Sequence, residues 1–248
     1  MPTPPTMRGR RLEPSPGFAL PLQVGELMAA ALLEGPRLGP AAGGAPRQLV
    51  VFLHGYGADG NDLIGLGREW ARLLPHAAFV SPHAPQPCGM APMGKQWFNL
   101  SLGDPSKIAL GVTEAGPSLD VFLDAELARH GLPSTAMALV GFSQGTMMAL
   151  SVGLRREPPL AAILGYSGAL ASIEGIAAAP GSGPSVLLVH GDMDEVIPVE
   201  AMMIARAQLA ELGLPVQWHI SSGIGHGIDP EGLALGGTFL KDAFAAAA

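Results

Sequence analysis

The sequence predicts an α/β protein with a mostly parallel central sheet and helices on both faces. Short, continuous apolar runs alternate with longer segments of helical periodicity, as in Gln48–Leu53 followed by residues 59–73. Such runs are typical of strands that are buried on both faces, and their alternation with helices is typical of a parallel sheet. Polar or glycine-rich segments follow several of the runs. In sheets of this class, ligands bind at the carboxyl ends of the strands.

Six apolar runs are predicted to be the buried strands, because each is short, continuous and, in most cases, β-branched. Further edge strands are predicted within residues 18–33, and the Gly/Pro-rich stretch 35–46 is predicted to be a loop. In chain order the six runs are residues 48–53, 77–80, 136–140, 160–164, 185–189 and 216–220.

Five segments are predicted to be helices, because their apolar residues recur at spacings of three and four or because capping residues bracket them. Proline is common at the first helical position and glycine just after the last one, which sets several of the bounds. In chain order they are a helix capped by Asp59 or Asn61 that ends before Pro75, a helix over 113–129 with Ser118 as its cap and Gly131 as its stop, a helix from Thr146, a helix from Pro198 to Gly213, and a helix from about Pro230 to the end.

The composition favours one domain with a large core. The chain has 248 residues, of which 48% are hydrophobic and 14% charged, whereas an average domain has roughly 25% charged residues. This length is common for a single α/β core, and we predict one domain over residues 17–248. Residues 1–16 contain five prolines and three arginines and are predicted to be a disordered tail, with Met7 as an alternative start.

Charge and cysteine content restrict the partners and the compartment. The net charge of −7 argues against nucleic acid, which binds to basic surfaces. No stretch of about 18 uninterrupted apolar residues occurs, so no stable membrane insertion is predicted. The single Cys88 excludes an internal disulfide and shows no sign of an activated thiol. Because the N-terminal stretch also lacks the apolar core of a secretory signal, the predicted location is cytoplasmic.

A candidate nucleophile stands in the segment Gly141-Phe142-Ser143-Gln144-Gly145. A predicted strand precedes it and a predicted helix follows, which is the strand–turn–helix context that a G-x-S-x-G motif requires. Such a turn strains its central residue, and the glycines are needed where a Cβ would collide with the neighbouring strand or helix. The helix N-terminus favours negative charge beside the serine, where an acyl-transfer intermediate develops its oxyanion.

Ser143 needs a base and a group that orients the base, and the chain offers Asp194 and His226. Asp194 lies in a strand-to-helix loop, with Asp192 as its competitor two residues away. His226 lies in a Gly-rich loop beyond the last strand. His219 and His54 are interpreted as structural residues, the second as one that shapes its loop. The remaining histidines, including His190, are interpreted as loop or helix-end residues, and no Cys/His spacing indicates a metal site.

Two backbone N–H groups are predicted to form the oxyanion hole, those of Tyr56 and Gln144. Gln144 follows the nucleophile, and Tyr56 lies between two glycines in the loop after an early strand. The alternative is that residues 54–60 are merely a flexible turn. The long loop 81–105 contains Trp97-Phe98, for which two interpretations stay open: burial in the core, or exposure at the rim as apolar surface for an acyl chain.

The sequence resembles the phospholipase/carboxylesterase family of α/β-hydrolases, which includes the acyl-protein thioesterases. The resemblance covers roughly residues 45–245 and implies an α/β-hydrolase fold and a serine hydrolase. It rests on four motifs in family order: Leu53-His54-Gly55-Tyr56-Gly57, Gly141-Phe142-Ser143-Gln144-Gly145, His190-Gly191-Asp192-Met193-Asp194 with Pro198, and Gly225-His226. It implies Ser143, Asp194 and His226 as the triad, Tyr56 and Gln144 as oxyanion donors, and Trp97, Phe98 and Val196 near the acyl pocket.

Two features favour small to medium acyl esters as substrates, with thioesters and lysophospholipids as further substrates. Tyr56 stands where eukaryotic thioesterases of the family usually have leucine. Three lysines against eleven arginines, with abundant Ala and Gly, are typical of a GC-rich bacterial genome, in which palmitoylated proteins are not the expected substrate.

Other functions compatible with the same residues are a catalytically silent binding protein and an acyltransferase or lyase with the same triad. The predicted partner is a small acyl ester, and no cofactor or metal is predicted. The sequence leaves open whether the chain forms a homo-oligomer.

Overall fold

The computed structural model describes residues 33–176 and 183–247. The predicted tail and nearly all of the segment predicted to supply edge strands lie outside these residues. In chain order the elements are β1 Arg37–Leu38, β2 Gln48–Leu53, α1 Gly60–Trp70, β3 Ala77–Val80, β4 Gln86–Pro87, β5 Lys95–Gln96, α2 Pro105–His130, a 3₁₀ turn Ser134–Ala136, β6 Met137–Phe142, α3 Gln144–Gly153, β7 Ala162–Tyr166, β8 Ser185–Gly191, α4 Glu200–Glu211, β9 Val216–Ser221 and α5 Pro230–Ala246.

The central sheet has seven strands in the order β1-β3-β2-β6-β7-β8-β9. All neighbours are parallel except β1, which pairs antiparallel with β3. All six predicted strands are present, with bounds shifted by at most two residues. The register pairs Leu53 with Gly141 and Phe142 with Tyr166, so β2, β6 and β7 end side by side. The residues that follow these strands therefore meet at one edge of the sheet.

Side chains alternate between two apolar layers, one on each face of the sheet. Along β2, Leu49, Val51 and Leu53 belong to the layer under α2, α3 and α4, whereas Val50 and Phe52 belong to the layer under α1 and α5. This alternation follows from the two-residue period of a strand. The predicted parallel sheet with helices on both faces is confirmed. Within the described ranges, no helix is long and apolar enough to cross a membrane.

The helix predicted over 113–129 is longer than its pattern indicates. It begins after Asp104, whose side chain accepts hydrogen bonds from the N–H groups of Ser106 and Lys107, and continues through Pro117. The prediction of Ser118 as the cap is therefore wrong. Gly111 packs so closely on the Phe98 ring that a Cβ would overlap it, and this contact is made by the turns before the proline. Tertiary packing thus outweighs the local tendency of proline to end a helix.

Other helix ends follow their capping residues. Asp59 accepts the N–H of Asn61 at 2.7 Å and is the N-cap of α1, which decides between the two predicted caps. Gly131 adopts the left-handed conformation, with φ of 63°, at the end of α2 as predicted. The long loop between β3 and α2 contains a small antiparallel pair, β4 with β5. Lys95 of this pair and the following Trp97 and Phe98 contact the loop after β2 and the first residue of α3.

Candidate active site

Ser143 occupies a strained turn between β6 and α3. Its φ is 54°, in the region that favours glycine, and it is 5% exposed. A Cβ on Gly141 would overlap the first turn of α3, and one on Gly145 would overlap the carbonyl of Leu53. Both glycines are therefore required by close packing, in the way the motif predicts. The Ser143 N–H donates to the Tyr166 carbonyl at 3.0 Å, which fixes the turn against β7.

Asp194 and His226 meet at the carboxyl ends of β8 and β9. The Nδ1 atom of His226 lies 2.8 Å from Oδ2 of Asp194. Because a carboxylate can only accept, Nδ1 carries the proton and Nε2 is left free to act as a base. The second oxygen, Oδ1, accepts the N–H groups of Val196 and Ile197, each at 2.9 Å. This arrangement holds the ring in one tautomer and one orientation.

The hydrogen bonds keep Asp194 ionised although its side chain is buried. Burial by itself raises the pKa of the carboxyl, but the hydrogen bond from His226 and the N–H groups of Ile197 and Val196 lower it by more. The net pKa of Asp194 therefore lies below its ordinary value. An ionised acceptor is the form that stabilises an imidazolium ring during proton transfer.

Asp192, the competitor of Asp194, makes different contacts. Its Oδ1 accepts the Gly223 N–H at 2.6 Å, and its Oδ2 accepts the Ser222 hydroxyl at 3.2 Å. These bonds hold the start of the loop that carries His226 rather than the ring itself. Asp192 is thus a loop residue, and Asp194 is the carboxylate that His226 contacts.

His226 also lies beside the nucleophile turn. Its ring centroid is 5.0 Å from that of Phe142, the neighbour of Ser143, in a tilted arrangement. Among the hydrogen bonds of the described residues, none joins the Ser143 hydroxyl to His226. Catalytic hydrogen bonds are often long before substrate binds and shorten in the complex. The packing on Phe142 nevertheless places the ring on the same side of the sheet edge as Ser143.

The loop with Tyr56 lies directly against the nucleophile turn. A Cβ on Gly55 would be 3.1 Å from the Phe142 ring and 3.4 Å from the Ser143 Cβ. The loop is also hydrogen-bonded to Lys95, whose carbonyl accepts the Gly57 N–H at 2.9 Å and whose N–H donates to Ala58 at 2.7 Å. The alternative of a merely flexible turn does not describe a segment that is held in this way.

Gln144 contributes more than its N–H group. As the first residue of α3, it has an N–H without an intrahelical acceptor. Its buried side chain accepts the Trp97 N–H at 3.0 Å and donates to the Phe98 carbonyl at 2.8 Å. The Trp97 indole N–H donates to the His54 carbonyl at 3.0 Å. Trp97 therefore links Gln144 to His54, two residues before Tyr56 in the same loop, a link that no local sequence pattern indicates.

Burial decides between the two interpretations of Trp97 and Phe98. Their exposed fractions are 0% and 2%, and both belong to the apolar core. The interpretation that places them exposed at the rim is wrong, because the indole is needed to bridge to His54 and the Phe98 ring packs on Gly111 of α2. Val196, by contrast, is 48% exposed and follows Asp194 closely in the chain.

His54 is a buried, neutral residue that shapes its loop, as interpreted from the sequence. Its Nε2 accepts the Ala84 N–H at 3.0 Å, so Nδ1 carries the proton and donates to the Gly55 carbonyl at 2.8 Å. Burial is the largest influence and lowers the pKa of His54 below its ordinary value. With both ring nitrogens engaged by backbone groups, His54 is not available as a base.

His190 is a site residue that sequence reasoning missed. It was predicted to be a loop or helix-end residue, but it lies in β8 and is buried. Its Nε2 is 2.7 Å from the Ile197 carbonyl and 3.2 Å from Oδ2 of Asp194. Asp194 therefore contacts two histidines. The available signal in the sequence was that His190 precedes Asp194 by four residues. It was not recognised because β8 ends between the two residues, so their spacing fits neither a helical pattern nor a metal-binding one.

An open cavity of about 640 Å³ adjoins the loop with Tyr56. It is lined by Gly57 and Ala58 of that loop, by the apolar residues Ala91, Pro92 and Met93, and by acidic side chains of α1 and its cap. Its volume is within the range of small-molecule sites.

The chain is similar to known esterases over most of its length. Residues 41–243 match the family model described as phospholipase/carboxylesterase. The esterase YpfH of Escherichia coli (strain K12) is 31% identical over 193 residues, covering 74% of this chain and 77% of that protein. Acyl-protein thioesterase 1 of Gibberella zeae is 29% identical over 208 residues, covering 77% and 88%. The crystal structure of esterase PE8 is 45% identical, covers 85% of this chain and 99% of its own, and has a TM-score of 0.80.

Proposed function

Since the chain belongs to the phospholipase/carboxylesterase family of α/β-hydrolases, we propose that it cleaves small to medium acyl esters through an acyl-enzyme on Ser143. The family makes the chain an ester hydrolase, and the proposal concerns the residues and the substrate. The observation that carries it is the hydrogen bond from His226 Nδ1 to Asp194 Oδ2, at the sheet edge where the strained Ser143 stands. His226 then acts as the general base and Asp194 orients it.

The first half of the reaction acylates Ser143. Nε2 of His226 takes the proton of the Ser143 hydroxyl while the oxygen attacks the ester carbonyl, and a tetrahedral intermediate forms. The N–H groups of Tyr56 and Gln144 would donate to its oxyanion. His226 then gives the proton to the departing alkoxide. The ester C–O bond breaks, an alcohol leaves, and the acyl group stays on Ser143.

The second half returns the enzyme to its starting state. Water gives a proton to Nε2 of His226 and attacks the acyl carbonyl, and the same N–H groups stabilise the second oxyanion. The proton then passes from His226 to Ser143 as the carboxylic acid leaves. The fixed tautomer of His226 serves both halves, because Nε2 must accept and release a proton twice.

The surroundings of the oxyanion loop favour a short or medium acyl chain. The open cavity at Gly57 and Ala58, which follow Tyr56, has apolar walls at Ala91, Pro92 and Met93, and an acyl chain of that length would extend from Ser143 towards it. Thioesters are the second candidate, because a relative carries the name acyl-protein thioesterase 1 and a thioester carbonyl can use the same donors. Lysophospholipids are a third candidate, as small acyl esters with a polar alcohol part.

The test combines labelling and turnover. We expect a fluorophosphonate probe to label the wild-type chain at Ser143, and the variant Ser143→Ala to lose both labelling and at least about 10³-fold of kcat on p-nitrophenyl butyrate. Ser185→Ala is the matched control, because Ser185 lies at the amino end of β8, opposite the site. Full turnover by Ser143→Ala would contradict the proposal. A panel of C2 to C16 esters and thioesters then ranks the substrate candidates.

A further inference from the structure

We propose that Ser167 is a positioning residue for the general base: its hydroxyl holds the loop that carries His226 at a fixed distance from Ser143. The proposal rests on the proposed function, because it assumes that His226 takes the proton of Ser143. Ser167 is itself completely buried, so it cannot touch a substrate and must act through another residue.

Backbone strain singles Ser167 out. In the part of the chain that the structure describes, two residues other than glycine have a positive φ: Ser143, at 54°, and Ser167, at 45°. Such a conformation is unfavourable for a residue with a Cβ and persists only where the surroundings impose it, which happens most often at functional sites. Ser143 is the candidate nucleophile. The second strained residue follows the neighbouring strand, β7, at the same sheet edge.

The contacts of Ser167 lie on both sides of the site. Its N–H donates to the Val189 carbonyl at 2.9 Å, which ties it to β8. The carbonyl of the residue before it, Tyr166, accepts the Ser143 N–H at 3.0 Å and the Thr146 hydroxyl at 2.8 Å. A Cβ on the residue after it, Gly168, would collide with Thr146. Ser167 is therefore held rigidly against the nucleophile turn.

The hydroxyl of Ser167 extends from this rigid position to residues 222–229, the loop between β9 and α5 that carries His226 and is called the base loop below. There it donates to the Gly227 carbonyl at 3.3 Å. Gly227 directly follows His226. Upstream of His226, the loop is held by the bond from Gly223 to Asp192 and by the bond from the Met193 N–H to the Ile224 carbonyl. For residues 226–228, the hydrogen bonds within the described ranges are those of His226 with Asp194 and of Ser167 with Gly227. Ser167 thus supplies the attachment directly after His226, ahead of Asp229, whose Oδ1 accepts the Ser221 hydroxyl at 2.6 Å where α5 begins.

Two substitutions of Ser167 distinguish the effect of losing its hydroxyl from the effect of relieving its backbone strain. Ser167→Ala removes the hydroxyl and keeps a Cβ at a positive φ, whereas Ser167→Gly removes the hydroxyl and relieves the strain. Because a hydroxyl–carbonyl contact of 3.3 Å is long, we expect a moderate effect: in both variants kcat on p-nitrophenyl butyrate falls about fivefold, with KM within about twofold of wild type. The rate of fluorophosphonate labelling should fall by a similar factor, since it also needs the activated Ser143.

The two variants should differ in stability while agreeing in activity. Ser167→Gly is expected to unfold at a higher urea concentration than Ser167→Ala, because it lacks the strained Cβ. A residue with only a structural role would instead show activity that follows stability. Wild-type kcat in either variant, or a rise in KM with unchanged kcat, overturns the proposal. If Ser167→Ala does not fold, Ser167→Gly decides alone.

Ser143→Ala and Ser185→Ala keep the two proposals distinguishable. Turnover by Ser143→Ala means that the proposed function fails, whatever Ser167 does. An inactive Ser143→Ala together with fully active Ser167 variants means that only the role of Ser167 fails. Ser185→Ala should match wild type in both labelling and kcat, since its side chain lies at the opposite end of the strands.

Discussion

The turn around Ser143 and the loop around His226 face the same site, but backbone packing fixes the first, whereas three side-chain hydrogen bonds add to the backbone contacts of the second. At the turn, Gly141 and Gly145 admit neighbouring backbone so closely that no Cβ fits. At the loop, Asp192 holds the segment before His226, Asp194 holds the ring, and Ser167 holds Gly227. Each of the two segments is thus held in one geometry, the turn by close backbone packing and the loop with the help of side-chain hydrogen bonds.

Because the two segments are held differently, we expect substitutions at the turn to change mainly the stability of the fold and substitutions in the loop to change mainly the activity. Packing of β6, α3 and β2 at the nucleophile turn is part of the core, so a substitution there changes the free energy of unfolding. The base loop lies on the surface side of the sheet edge, where losing one hydrogen bond leaves the core intact. Substitutions in the loop should therefore reduce activity without unfolding the chain.

The largest expected effect is a loss of activity on replacing Asp194, the carboxylate that contacts His226. We expect Asp194→Asn to lower kcat by about 10³- to 10⁴-fold, because the amide can donate to Nδ1 of His226 and so moves the ring proton to Nε2, where the base is needed. Far-ultraviolet circular dichroism should show a folded chain. Asp192→Asn is the matched comparison: it weakens the loop attachment and leaves the ring contact, so a loss of about 10-fold is expected. Equal losses in the two variants would remove the distinction between ring and loop carboxylates.

The second largest expected effect is a loss of stability at the nucleophile turn. We expect Gly145→Ala to lower the free energy of unfolding by about 3 kcal/mol, because its Cβ would overlap the Leu53 carbonyl and force α3 away from β2. Urea unfolding measures the change. Gly65→Ala, in the interior of α1, is the control: nothing lies within 4 Å of its Cβ position, and a gain of about 0.5 to 1 kcal/mol is expected. Wild-type stability in Gly145→Ala would show that packing does not fix the turn.

The smallest effect concerns acid stability. The pKa of Asp194 is lowered in the folded state, so between its folded and unfolded values the unfolded chain binds more protons. The resulting stabilisation is complete above the unfolded value, near 3.8, and is lost as pH falls through the folded value. Below about pH 4, wild type should thus lose stability more steeply than Asp194→Asn. Parallel pH curves of unfolding midpoints for the two proteins would contradict this expectation.

The fold was predictable because its signals are local. Six apolar runs are strands in the structure, and Asp59 and Gly131 mark helix ends as predicted. The start of α2 was missed because two local signals compete: Asp104 followed by Pro105 marks the true start, whereas Pro117 and Ser118 form a second plausible boundary. The packing of Gly111 on the distant Phe98 ring favours the longer helix.

The sequence by itself determined the α/β architecture, the family and the candidate nucleophile turn. The strands are local apolar runs, and the turn requires glycine at Gly141 and Gly145 because a Cβ there would overlap neighbouring backbone. Only the tertiary structure showed that His226 contacts Asp194, the carboxylate already favoured from the sequence, that Trp97 is buried between Gln144 and His54, and that His190 contacts Asp194 and Ser167 contacts Gly227. These contacts join residues from different strands. Their geometry depends on the register and twist of the whole sheet, which no short stretch of sequence specifies.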